Sequence, residues 1–210
     1  MYPGAMLRLT AAIAVTLLAV PALAAATPWQ EIAPGVRARM ISADAVGLGK
    51  TRIGLELDLP PGTKTYWRIP GETGIPTQID FTGSTGLSDP VIAWPFPEID
   101  EAGGYRNFVC HGHVVLPVDL KATPGPALLN AAVTLGVCSD VCIPAQAQFT
   151  LPLTLGTNDP EQALRLQMAL RATPTGWDQP QEPFGRIAET PDGLTISGID
   201  ALIDPQSLIV

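Results

Sequence analysis

Gly54-Leu55-Glu56-Leu57-Asp58-Leu59 is the stretch on which the fold class turns. Its leucines recur at every second residue, so they share one face of an extended strand and put Glu56 and Asp58 on the other. The same short alternating or β-branched pattern returns at 36–41, across the wider run 52–59, and at 91–94, 108–120, 128–137 and 147–155. Turn signals separate the runs: Pro60-Pro61-Gly62, Pro70-Gly71, Thr82-Gly83-Ser84, Gly103-Gly104 and Pro124-Gly125-Pro126. About seven or more short strands joined in this way predict an all-β protein, an immunoglobulin-like antiparallel β-sandwich. The Cys–Trp–Cys spacing of antibody domains is missing, so the expectation concerns architecture alone.

Composition agrees. The chain has 210 residues with 22 prolines and 20 glycines spread along it, which excludes a bundle of long helices. A hydrophobic content of 46% is enough for a core, and the composition lacks the apolar-poor, highly charged character of disorder. The net charge is −8 and Lys and Arg do not cluster, so no nucleic-acid partner is expected.

Residues 1–26 read as a secretory signal peptide. Arg8 supplies a positive start, 9–20 an apolar stretch, and Ala22-Leu23-Ala24 the small residues of a cleavage site. The apolar stretch is shorter than the ~20 residues that span a bilayer, so the mature chain is expected in an envelope or extracellular space. Disulfides persist there. Residues 27–157 are expected to form the immunoglobulin-like domain. Asn158-Asp159-Pro160-Glu161 offers a helix cap with Pro at the first helical position, so 158–185 is read as a short connecting helix and a Pro-rich linker. Further strands at 194–199 and 207–210 make 186–210 the expected start of a second, partial β-unit that continues beyond the chain.

The chemistry concentrates in three cysteines: Cys110, Cys138 and Cys142. An odd number in an exported protein leaves one thiol free or paired outside the chain. Cys138 and Cys142 flank Ser139-Asp140-Val141 between two strands, which sets them opposite each other at a hairpin mouth. Opposed residues lie ~4.5–5.5 Å apart, within disulfide range. So short a loop gains only about 2 kcal/mol from closure. Spacing alone leaves a reversible redox pair and a structural bridge both open. No Lys, Arg or His lies within several residues of the pair and Asp140 sits inside it, so local sequence offers nothing to stabilise a thiolate. That favours a reductant relay over a strong oxidant.

Cys110, His111 and His113 form a second grouping. Strand alternation puts both histidines on one face and Cys110 on the other, which is not a ready ligand set, although thiolate and imidazole would suit Cu(I). The expectation is a buried free thiol and two exposed histidines, with no metal and no cofactor. Phosphate loops and the Gly-x-Ser-x-Gly elbow are missing, and the acidic residues read as a solvated face.

Several blocks together resemble the N-terminal periplasmic domain of the DsbD thiol:disulfide interchange proteins, most of all the copper-tolerance ScsB branch. They are Tyr66-Trp67-Arg68, residues 70–76 (Pro-Gly-Glu-Thr-Gly-Ile-Pro), 93–97 (Ala-Trp-Pro-Phe-Pro), 115–118 (Val-Leu-Pro-Val) and 137–144 (Val-Cys-Ser-Asp-Val-Cys-Ile-Pro). The resemblance covers roughly 29–155, and its most specific element is Cys138…Cys142-Ile143-Pro144. The family's cysteines are usually spaced more widely. The resemblance implies a Cys138–Cys142 pair that takes electrons from a thioredoxin-like protein and passes them to oxidised periplasmic proteins, as a component of a protein-disulfide reductase. It also implies a membrane-embedded reductase partner, and Cys142 as the sulfur joined to the incoming protein. Within it, 95–104 corresponds to a cap loop with Phe96 as the shielding aromatic, and Tyr66 and Trp67 correspond to aromatics beside the cysteines. Two other readings accompany this one: a copper-binding, copper-tolerance envelope protein, and a passive β-sandwich interaction module with a structural disulfide.

Overall fold

The computed structural model describes residues 25–44, 46–174, 176, 179–191 and 193–205. The expected signal peptide, apart from its last two residues, and the expected strand at 207–210 lie outside the described residues.

Two antiparallel sheets face each other. The first has the order β1 (Gln30–Ala33), β2 (Val36–Ser42), β3 (Lys50–Asp58), β9 (His113–Ala122) and β6 (Leu87–Ile92). The second runs β11 (Cys142–Leu153), β10 (Ala127–Cys138), β4 (Lys64–Gly71), β8 (Asn107–His111) and β7 (Glu98–Asp100), with β5 (Gln78–Asp80) also pairing with β10. Alternation decides what goes inside. Leu55 and Leu57 of β3, Leu116 and Val118 of β9, Leu129, Val133 and Leu135 of β10, and Phe149 and Leu151 of β11 meet in one buried cluster between the sheets. Each such side chain stabilises the fold by about 1.5–3 kcal/mol. This is the immunoglobulin-like sandwich expected from the leucine alternation at 54–59.

Two features depart from the strand reading. The run 108–120 is not one strand. Gly112 adopts φ 66°, a conformation other residues rarely take, and there the chain leaves the second sheet and enters the first. Glu56 is not part of a solvated face either. It lies fully buried and accepts hydrogen bonds from Arg39 Nε at 2.5 Å and Arg165 Nη1 at 3.2 Å, with His113 Nε2 at 2.7 Å.

The helix α1 (Pro160–Arg171) contributes Arg165 and covers this outer surface of the first sheet. Asp159 caps it by accepting from the Gln162 backbone N–H at 2.9 Å, and Pro160 opens its first turn. Leu166 anchors it against Ile41, Ala43 and Val115. Farther on, β12 (Arg186–Thr190) and β13 (Gly193–Ser197) pair with each other as a separate two-stranded sheet. Among the described residues no helix is long and apolar enough to cross a membrane.

Candidate functional site

β10 and β11 stay in register from Ala127↔Leu153 to Cys138↔Cys142, and Ser139, Asp140 and Val141 close the turn. The Ser139 N–H donates to the Val141 carbonyl at 3.3 Å. The hairpin thus delivers the two cysteines to each other, and they form a disulfide with Cα atoms 4.0 Å apart, nearer than the ~4.5–5.5 Å of ordinary opposed residues.

The two sulfurs have unlike surroundings. Val137 points into the core, so Cys138 faces the outer side of the second sheet, where it is fully buried with Tyr66 and Val109. Cys142 begins β11 and is exposed, between Val141, 69% exposed, and Ile143, 39% exposed. Cys142 is therefore the more accessible of the two cysteines.

Tyr66 is built into the site. Its hydroxyl lies 3.1 Å from Cys138 Sγ and 3.4 Å from Cys142 Sγ, and since a disulfide carries no hydrogen, the tyrosine donates. Its ring fits because two neighbours lack a side chain. A Cβ on Gly136 would stand 2.9 Å from Tyr66 Cδ2, and one on Gly74 would stand 2.3 Å from Cδ1. The strand carrying it is held by Thr65 Oγ1 donating to the Gly136 carbonyl at 2.8 Å and Thr77 Oγ1 donating to the Tyr66 carbonyl at 3.1 Å.

Other expected site residues are placed elsewhere. Trp67 is buried but turns to the opposite face of β4 from Tyr66, where it meets Phe108 edge-on with centroids 6.2 Å apart. Adjacent residues on a strand cannot both face the sulfurs. Phe96 is 51% exposed. Its backbone N–H donates to the Ala172 carbonyl at 2.8 Å, and its ring lines a cavity of about 340 Å³ shared with Arg165 and Met168, which includes neither Cys138 nor Cys142. Val109, a wall of that cavity, is what packs against Tyr66 and Cys138.

His111 and His113 belong to strands of different sheets, although both line the cavity that Phe96 borders. The change of sheet at Gly112 leaves His111 paired with Lys64 in the second sheet and His113 paired with Asp58 in the first. His111 Nδ1 lies 3.4 Å from Glu98, and His113 is taken by Glu56. Cys110 is a free thiol in the core, and burial, with Glu98 nearby, pushes its pKa up to about 11. Among the described residues no group of three or more His, Cys, Asp or Glu side chains is arranged to hold a metal.

One residue near the pair is invisible in local sequence. Lys64 is the register partner of Cys138 across β10 and β4, and it forms an ion pair with Asp100 of β7. The Lys64 backbone thus lies beside Cys138, while its ammonium reaches across β8 to Asp100. No periodicity or motif links positions 64, 100 and 138; only strand pairing does.

The family model of the N-terminal region of the thiol:disulfide interchange protein DsbD matches residues 31–154, more than half of the chain. The chain belongs to the DsbD N-terminal domain family. Among solved structures it is similar to the N-terminal periplasmic domain of ScsB from Proteus mirabilis, with 28% identity and a TM-score of 0.60 over 78% of this chain. The match spans 64% of that structure's length. No curated relative matches the sequence. The DsbD-type match ends within a few residues of the end of β11, so both sheets and the disulfide hairpin fall inside it, and α1 and the β12–β13 hairpin follow it. Family membership and the disulfide at the β10–β11 turn together make this a thiol–disulfide interchange domain.

Proposed function

We propose that residues 27–157 act in the periplasm as an electron relay, taking two electrons from a thioredoxin-like dithiol protein and passing them to oxidised envelope proteins. The observation that carries this is the asymmetry of the disulfide: Cys142 is exposed, while Cys138 is buried under the Tyr66 hydroxyl 3.1 Å away.

In the first step a donor thiolate attacks Cys142 Sγ. A donor–Cys142 bond forms, the Cys138–Cys142 bond breaks, and its electron pair leaves on Cys138 as a thiolate. The Tyr66 hydroxyl is placed to donate to that thiolate. The donor's second thiolate then attacks its own sulfur in the mixed disulfide, closing the donor disulfide and releasing Cys142 as a thiolate. Both thiolates take up protons from solvent. In the second half-reaction Cys142 attacks a substrate disulfide and Cys138 resolves the mixed disulfide, which regenerates the oxidised pair. The exposed apolar side chains of Val141 and Ile143 are the surface on which either partner rests.

Trapping tests the order of events. Cys138→Ser leaves an exposed Cys142 with no resolving thiol, so a stable mixed disulfide with a thioredoxin-like protein is expected. Cys142→Ser, whose remaining thiol is covered, is expected to trap far less. A wild-type pair that resists mild dithiol and a Cys138→Ser variant that captures nothing would overturn the proposal.

A further inference from the structure

β11 is the outermost strand of the second sheet, and Cys142 is its first residue. The partners of β10 fix which way the backbone of β11 faces. The Gly136 carbonyl accepts from Thr65 Oγ1 at 2.8 Å, and Asn130 exchanges backbone hydrogen bonds with Ser84 Oγ at 3.0 Å. Leu128 does the same with the Thr85 backbone at 2.9 and 3.0 Å. Even-numbered residues of β10 therefore turn their polar groups away from β11. Opposed residues in an antiparallel ladder exchange both bonds or neither. The bonds joining β10 to β11 thus run through odd-numbered pairs such as Val137↔Ile143 and Leu135↔Ala145, and the even-numbered residues of β11 face the open edge. Gln148 follows this rule, since its carbonyl accepts from Gln30 Nε2 of β1 at 3.0 Å.

That contact closes the edge at one end. Between it and the disulfide, the residues that face outward are Cys142, Pro144 and Gln146, all of them exposed. Among the described residues no other element bonds to their backbone. Exposed edges are commonly blunted by proline, which has no N–H to offer. Pro144 and Pro152 occupy two of the outward positions here, and neither interrupts the register with β10. The stretch left open begins at the more accessible cysteine of the pair.

We propose that this edge receives an extended segment of the protein that exchanges with Cys142, added antiparallel to β11 as a further strand from Cys142 to Gln146. This rests on the relay reading above and states how its partner is recognised. A residue opposite Cys142 on such a strand lies about 5.5 Å away between Cα atoms, within disulfide range. A cysteine carried there meets the sulfur while main-chain bonds hold its neighbours. Bonds of this kind place no demand on the partner's side chains. That suits a site that must meet a donor and several oxidised proteins in turn. The covalent step is unchanged.

The experiment uses the full chain, with thioredoxin as the protein dithiol and dithiothreitol as the small one. Gln146→Pro removes an outward N–H and no bond to β10, as Pro144 and Pro152 do at equivalent positions. Reduction by thioredoxin is expected to slow about fivefold, the effect of one lost hydrogen bond, while reduction by dithiothreitol stays as in the wild type. Gln146→Ala keeps the N–H and is expected to match the wild type with both. A folded Gln146→Pro that thioredoxin reduces normally, a slowing shared by dithiothreitol, or an equal loss in Gln146→Ala overturns the proposal. If Gln146→Pro does not fold, amide hydrogen exchange at Gln146 decides. It is read in the Cys138→Ser chain, free and joined through Cys142 to thioredoxin that lacks its resolving cysteine. Exchange about tenfold slower or more in the joined form is expected, and no slowing overturns the proposal. Thioredoxin exchange by the wild-type chain is measured separately. Normal exchange with no effect at Gln146 removes the added strand alone, whereas no exchange removes the relay and the added strand together.

Discussion

Tyr66 holds its hydroxyl 3.1 Å from the sulfur of Cys138, and both residues are buried on the outer side of a sheet rather than in the core between the sheets. The contact joins β4 to the last residue of β10, and it exists because Gly74 and Gly136 leave room for the ring. It places a hydrogen-bond donor against a covered sulfur.

Tyr66→Phe keeps the ring and removes the donor. A hydrogen bond of this kind is worth about 1 kcal/mol net, and more to a charged partner. Single-turnover reduction of the disulfide by a dithiol is expected to slow about fivefold or more, with the fold retained. An unaltered rate would show that the hydroxyl has no part in the step.

Replacing both Cys138 and Cys142 by Ala separates redox use from stapling. The loop is short, with a sequence separation of 4, so the cost in urea unfolding is expected to be no more than about 2 kcal/mol. Exchange with dithiol proteins is expected to vanish. A large stability loss with any biological activity preserved would favour a passive module instead.

Glu56 predicts the acid limb of stability. Burial raises its pKa, but hydrogen bonds from Arg39 and His113 outweigh burial and hold it below the ordinary 4.5. A lowered carboxyl contributes fully above its unfolded value, and the contribution disappears as pH falls through the folded one. Denaturation measured from neutral pH downward should show stability dropping below pH 4.5, with a shallower drop in Glu56→Gln. Glu56→Ala strands Arg39, and the expected cost is about 3 kcal/mol, at the low end because Arg165 and His113 reach solvent.

Cys110 predicts the alkaline limb. Its thiol rises from 9.0 to about 11 on folding, chiefly through burial. A raised pKa favours the folded state at low pH, and that share is lost between pH 9.0 and about 11. Cys110→Ala should lack this part of the slope. In the native chain a thiol reagent should modify Cys110 only as fast as the protein unfolds.

Much of this was legible in order along the chain. The leucines at 55, 57 and 59 set a two-residue period, and that period requires a sheet with one buried side whatever lies elsewhere. The cap at Asp159 and Pro160 and the opposition of Cys138 and Cys142 across three residues are likewise local, and both occur where the sequence puts them. The same local reasoning failed wherever a single neighbour mattered. Reading 108–120 as one strand joined two histidines that Gly112 sends to different sheets, and reading Glu56 as solvated took no account of the helix more than a hundred residues later that covers it.

The sequence by itself determined a β-sandwich with a closable cysteine pair at one hairpin, because alternation and turn chemistry act over a few residues. Only the tertiary structure decided which cysteine is exposed, that Tyr66 rather than Trp67 faces the pair, and that Lys64 pairs in register with Cys138. Those facts depend on which strands pair and in what register. Pairing between positions 64 and 138 is set by the packing of the whole core, and no local pattern records it.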